Sequence, residues 1–192
     1  MLGLRAPRSR GASDSLNPSR NMLLRDATQA DLPAILAIYN DVIATSNAIY
    51  TETPVTLEDR TAWLALRATQ GYPVLVADDD GQVAGVASFG DFRPYPGFRT
   101  TVEHSVHIHR DWRGKGLGSL LVEALCERAA ALGKHLMVGA IDGANAGSIR
   151  LHEKLGFKEV GRMPEAAIKH GQWLDLVFMQ RWLEAPGTVR SD

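Results

Sequence analysis

One cysteine, Cys126, among 192 residues leaves no partner for an internal disulfide. A reducing cytoplasm is therefore the natural compartment, and a small packed side chain is the simplest role for that thiol. No apolar run approaches the roughly 20 residues needed to span a bilayer. Neither sign of charge dominates: 21 Lys and Arg stand against 22 Asp and Glu, for a net charge of -1. That balance removes the electrostatic case for nucleic acid or an anionic membrane as a partner. Internal repeats are absent too. What is present, 45% hydrophobic and 22% charged residues, suits one domain large enough to bury a core.

Residues 1–21 differ from the rest. Arg5, Arg8, Arg10 and Arg20 face only Asp14, among serines, glycines and prolines, which reads as a disordered tail. The composition also resembles a transit peptide, but it has no clear amphipathic helix and no secretory apolar core. The domain is expected over 22–183, with a flexible tail at 184–192.

From Leu23 a strand leads to Thr28 and Asp31, a capping-box-like start with Asp in place of Glu or Gln. The helix that follows carries Leu32, Ile35, Ile38, Val42 and Ile43 at helical spacing. Thr56 opens a second helix with Trp63, Leu64 and Leu66 on or near its buried side. Val74 to Ala77 and Val83 to Phe89 form a hairpin around Asp78-Asp79-Asp80-Gly81. Those aspartates lack the ligand spacing of a calcium loop and read as a solvated turn. A loop from Gly90 leads to a strand from Thr101 to His109, a helix from Leu117 ended by Gly133, and a buried strand from Leu136 to Ile141. A short helix, Ala146 to Leu155, and closing strands near Lys158 to Val160 and Leu174 to Trp182 complete an α/β (α+β) chain with a mixed sheet.

Between the Thr101 strand and its following helix lies Arg113-Gly114-Lys115-Gly116-Leu117-Gly118. The free N–H groups and positive dipole end of a first helical turn favour an anion, and glycines allow close approach. The dinucleotide fingerprint fails because Ser119 stands where its third glycine belongs, and the nucleoside-triphosphatase loop fails because Gly116 follows Lys115. Strand, loop, helix and strand make a parallel crossover, which is right-handed.

The loop, the crossover and Asn145-Ala146-Gly147-Ser148-Ile149-Arg150-Leu151-His152-Glu153-Lys154-Leu155-Gly156-Phe157 together resemble the GNAT N-acetyltransferases over about residues 22–183. Thr101-Val102-Glu103-His104-Ser105-Val106, Tyr39-Asn40-Asp41, Arg150-Leu151-His152-Glu153 and Lys169-His170-Gly171-Gln172-Trp173-Leu174-Asp175 are similar to the phosphinothricin and methionine sulfoximine acetyltransferases within them. The resemblance implies the GNAT fold with a parallel β-loop-α-β core, acetyl-CoA as donor, a small amino acid analogue as acceptor, and a homodimer. It implies that Arg113 to Ser119 hold the pyrophosphate. Main-chain groups of Val106, His107 and Ile108 would pair with the pantetheine arm, and Asn145 would bind the pantetheine or cap its helix.

Transfer to an amine needs a neutral nitrogen, a polarised thioester and a protonated leaving thiolate. Glu103, opposite Val102 and Val106 in the alternation, is the candidate base. His152 stands where many relatives of the superfamily carry a tyrosine; it could protonate sulfur or itself be the base. For the acceptor, Arg93, with Pro94 and Tyr95 in the same loop, could clamp an anion, and Glu103, His104 and Ser105 would face it. Tyr50 and Trp173 could wall the pocket. His104, His107 and His109 fall on two faces with no nearby cysteine, so no metal is expected. Acetylation of a polyamine, an ordinary amino acid or a protein N-terminus stays open, as does a non-catalytic acyl-CoA binding module.

Overall fold

The computed structural model describes residues 22–183; the tails expected at 1–21 and 184–192 lie outside the described residues. In chain order the elements are β1 (Met22–Asp26), α1 (Leu32–Thr45), α2 (Leu57–Thr69), β2 (Val74–Asp79), β3 (Gln82–Asp91) and β4 (Thr101–Ile108). They continue with α3 (Leu117–Ala131), β5 (Leu136–Asp142), α4 (Ala146–Lys154), β6 (Lys158–Lys169) and β7 (Gln172–Trp182). The strands form one sheet in the order β1-β2-β3-β4-β5-β7-β6. Only β4 and β5 pair in parallel; the other neighbours are antiparallel.

Strand alternation sorts the core into two layers. On β2, Leu75 and Ala77 join Leu121, Leu125 and Met137 beneath α3, while Val74 and Val76 pack with Ile35 and Ile38 of α1. The turn before α1 is fixed by the expected Asp31. Its carboxylate accepts from the Thr28 N–H at 2.7 Å and from both Arg25 terminal nitrogens at 2.7 and 2.8 Å. The Arg25 hydrogen bonds, helped by those from Thr28 and opposed by burial, hold the Asp31 carboxyl down at about 2.

Two expectations change. Leu66 is exposed, at 52%, because the inward stripe of α2 runs through Arg60, Trp63, Leu64 and Arg67 and leaves position 66 on the flank. The strand expected near Lys158 to Val160 extends to Lys169. β6 is an edge strand, mostly exposed, with register irregularities at Glu159/Gly161 and Met163/Ala167 and a proline at position 164. It therefore lacks the alternating burial that marks a strand in a sequence.

Lys169 at the end of β6 is 2% exposed. Its ammonium donates to the main-chain carbonyls of Ile43, Ser46 and Ile49 at 2.7, 2.6 and 3.0 Å. All three donors of a lysine are thereby used, at the C-terminal end of α1 where helix carbonyls lack partners and the dipole favours a cation.

Candidate active site

β4 and β5 pair only from Thr101 to His104 against Leu136 to Gly139. Past that point β4 stays with β3 and β5 stays with β7, so the sheet splits between them. A cavity of about 570 Å³ occupies this split. Tyr39, Arg60 and Trp63 line it on the α1/α2 side, and Asn145, Ser148 and His152 line it on the α4 side. The β5-facing edge of Ser105 to Ile108 has no strand beside it, which leaves main-chain groups open to an extended ligand. Val106 and His107 line the cavity; the Ile108 side chain packs into the α3 layer instead.

Below the split, Gly114 and Gly116 have φ of 76° and 79°, a region costly for residues with a Cβ. Gly116 caps α3, and its carbonyl accepts from the N–H groups of Ser119 and Leu120 at 3.1 and 3.3 Å. The N–H groups of Leu117 and Gly118, in the first turn, have no intrahelical acceptor. A Cβ on Gly118 would lie 3.2 Å from Leu151 Cδ1, so this glycine also lets α3 and α4 approach. Arg113 is tied back through Nε to the Ile108 carbonyl at 3.1 Å and through Nη2 to Asp41 at 3.1 Å. Arg110 pairs with the same Asp41. Lys115 lies over Trp112 with its ammonium 5.9 Å from the ring centroid.

Glu103 and Ser105 line the cavity together with His104. Burial pushes the Glu103 carboxyl above the usual range, and the charge of Arg93 opposes that shift. A raised value makes this carboxylate a stronger base than a solvated one. His104 points to the α3/α4 layer, where its Nε2 lies 3.1 Å from His152 Nε2. His152 Nδ1 is 2.7 Å from the Ser148 carbonyl oxygen. That oxygen can only accept, so the ring carries its proton on Nδ1 and both of its nitrogens are engaged.

Burial first, then the charges of His152 and His107, hold His104 down at about 3. Burial also lowers His152, against the Ser148 carbonyl. A Cβ at residue 139 would sit 3.0 and 3.4 Å from the two Nε2 atoms, so Gly139 makes room for this contact. His107 faces the other way, edge-on to Tyr39, and burial with the charge of Arg60 lowers it to about 4.

Asn145 takes the helix-capping role, its Oδ1 accepting the Ser148 N–H at 3.0 Å, and it also lines the cavity. Arg93, Pro94 and Tyr95 lie in an exposed loop outside the cavity wall, with the Arg93 guanidinium 4.1 Å from the Phe92 ring centroid. Tyr50 is in the wall and donates its hydroxyl to the Asp175 carbonyl at 2.8 Å. Trp173 is 61% exposed and away from it.

Arg60 and Arg67 were not singled out in the sequence, yet both line the cavity, each with a buried, unpartnered Nε. Arg60 lies 4.3 Å from the Tyr39 ring centroid, and Arg67 fills the space where Gly90 has no side chain. Their spacing of seven around Trp63 was the available signal. Among the described residues no group of His, Cys, Asp and Glu is arranged to hold a metal, and no helix is long and apolar enough to cross a membrane.

Known proteins resemble this chain in sequence and in fold. The L-methionine sulfoximine/L-methionine sulfone acetyltransferase of Pseudomonas aeruginosa is 59% identical over 82% of this chain and 92% of its own. The solved ribosomal-protein-alanine N-acetyltransferase of Brucella melitensis is 48% identical, with a TM-score of 0.83 over 84% of this chain and 99% of that one. The phosphinothricin acetyltransferase of Sinorhizobium meliloti, solved in complex with acetyl-CoA, is 39% identical, with a TM-score of 0.83 over 89% and 94% of the two chains. A model of the acetyltransferase (GNAT) family matches residues 35–157. With its split sheet and glycine-capped α3, the chain belongs to the acetyltransferase (GNAT) family.

Proposed function

We propose that the protein transfers the acetyl group of acetyl-CoA to the α-amino group of a small amino acid analogue of the methionine sulfoximine, methionine sulfone or phosphinothricin kind. The observation that carries this reading is one cavity with two carboxylates, Glu103 and Asp142, and two cations, Arg60 and Arg67, in its wall. An amino acid presents an ammonium and an acid group, and the wall offers partners of each sign. A polyamine has no acid group for the two arginines to meet. Relatives named for such small acceptors support the choice.

In the reaction, Glu103 takes a proton from the ammonium, directly or through water, and the freed amine attacks the thioester carbonyl. An N–H on the open edge of β4 polarises that carbonyl. The N–C bond forms, the C–S bond breaks with its electron pair leaving on sulfur, and the second amine proton passes to that sulfur, directly or through water, to give the thiol. Glu103 takes the base role because His152 has no nitrogen free in the resting arrangement. The glycine turn before α3 and its first N–H groups hold the pyrophosphate. A homodimer in the cytoplasm completes the reading. Exposed Val160, Met163, Ile168 and Trp173 on the β6–β7 hairpin suit a second copy, and the buried free Cys126 suits a reducing compartment.

Purified protein with acetyl-CoA should release free thiol with these three analogues and little with a polyamine or with the α-carboxamide of each acceptor. Equal rates on acid and amide would remove the arginine role. A flat trace on all three analogues would sink the acceptor class, and turnover of an alanine-ended peptide alone would move the assignment to a protein N-terminus.

A further inference from the structure

Residues 46–56, which join α1 to α2, form neither helix nor strand, yet Ala48, Ile49 and Tyr50 within them wall the cavity. Asn40 of α1 holds the end of this segment through the Val55 main chain, donating to its carbonyl and accepting from its N–H, each at 3.0 Å; residues 46–52 are held from the far end of the chain. The buried Lys169 ammonium binds the carbonyls of Ile43, Ser46 and Ile49. The next residue, His170, donates its main-chain N–H to the Glu52 carboxylate, and Tyr50 donates to the Asp175 carbonyl. That same carbonyl accepts from the Gly143 N–H at 2.8 Å, just past the end of β5. The wall and the split are thus joined through one main-chain oxygen.

The grip depends on the β6–β7 turn. His170 and Gly171 have φ of 49° and 71°, the two left-handed central positions of a type I′ hairpin turn. The turn pairs Lys169 with Gln172. A methionine at 169 would keep the stem but leave three carbonyls without their donor, and a planar guanidinium would not reproduce three converging bonds.

We propose that Lys169 is a positioning residue for acceptor recognition, acting through segment 46–50 to set Tyr50 in the cavity wall. It touches neither substrate; its effect is on the shape of the acceptor half alone. The assignment rests on the acetyl-transfer reading of the cavity.

The test is Lys169→Met, with Tyr50→Phe and Glu52→Ala as companions that leave the buried ammonium in place. Lys169→Met should raise the acceptor KM by about tenfold or more, with the acetyl-CoA KM and the kcat at saturation within about twofold. Tyr50→Phe and Glu52→Ala should raise the acceptor KM less, and Tyr50→Phe should add little on top of Lys169→Met. Equal change in both KM values, or a fall in kcat alone, overturns the proposal. So does full additivity of the two substitutions. Where Lys169→Met does not fold, an unchanged acceptor KM in both companions overturns it.

Amide hydrogen exchange on the apo protein separates this from the functional reading. Lys169→Met should speed exchange across 46–52 while α3 and β4 keep their protection. Uniformly faster exchange would make Lys169 a general stability residue.

Discussion

The two halves of the proposed site are built by opposite means. The proposed donor half is local: Gly114 to Ser119, the start of α3 and the adjoining end of β4 are near neighbours in the chain, and backbone geometry does most of the work. The proposed acceptor half is assembled from α1, segment 46–50, α2 and Glu103 on β4, with a lysine and a tyrosine hydroxyl holding the pieces together. A backbone site tolerates side-chain change outside its glycines, whereas a side-chain site can be retuned one residue at a time. One scaffold can thus keep its donor and vary its acceptor.

The largest effect tests whether chemistry and donor binding are separable. Glu103→Gln keeps size and polarity but removes the proposed base, so kcat should fall about 10²- to 10⁴-fold, with acetyl-CoA affinity by titration calorimetry unchanged. Retained turnover would assign the proton to another group.

The donor half is broken at Gly116. A Cβ at φ of 79° costs about 1–2 kcal/mol, so Gly116→Ala should raise the acetyl-CoA KM severalfold and leave the acceptor KM in place. Gly133, at φ of 72° beyond the other end of α3, is the matched control. Gly133→Ala should lower the melting temperature by a similar amount and leave both KM values alone. If the two glycines behave alike, the turn serves α3 stability and not the donor.

The same contrast explains what could be read from the sequence. The glycine turn, the Thr28–Asp31 start and the Asn145 cap are contiguous signals, each with a fixed spacing, and the structure contains all three. Arg60, Arg67 and Lys169 are charged residues on a helix face or at a hairpin turn, and such residues are ordinarily solvated. They are covered by elements distant in the chain: Lys169 lies 126 residues from the Ile43 carbonyl it binds. The His104–His152 contact spans 48 residues and depends on Gly139 of a third element. β6 outruns its signal in the sequence because an exposed edge strand carries no burial alternation. Leu66 misleads because an apolar residue beside a helical stripe resembles part of it.

The smallest effect compares two buried histidines, His104 on the α3/α4 side and His107 on the α1/α2 side. Their folded values, about 3 and about 4, lie below the roughly 6.5 of an unfolded histidine. Between those limits the unfolded chain binds the proton and the folded chain does not, so stability falls as pH drops. Each histidine contributes a slope of about 1.4 kcal/mol per pH unit, beginning near pH 6.5 and ending near its folded value. Asp31 acts in the same direction but only between its ordinary 3.8 and about 2; from pH 6 to 5 His152, also lowered by burial, adds to the loss, and Glu103, raised by burial, opposes it. Urea unfolding across that interval should show the loss, and His107→Phe should flatten the slope by one histidine's share. Turnover should keep its dependence on Glu103, the proposed base, because the His107 ring packs against Tyr39. A slope unchanged by His107→Phe would mean that the α1/α2 side of the cavity is wet enough to let this ring titrate normally.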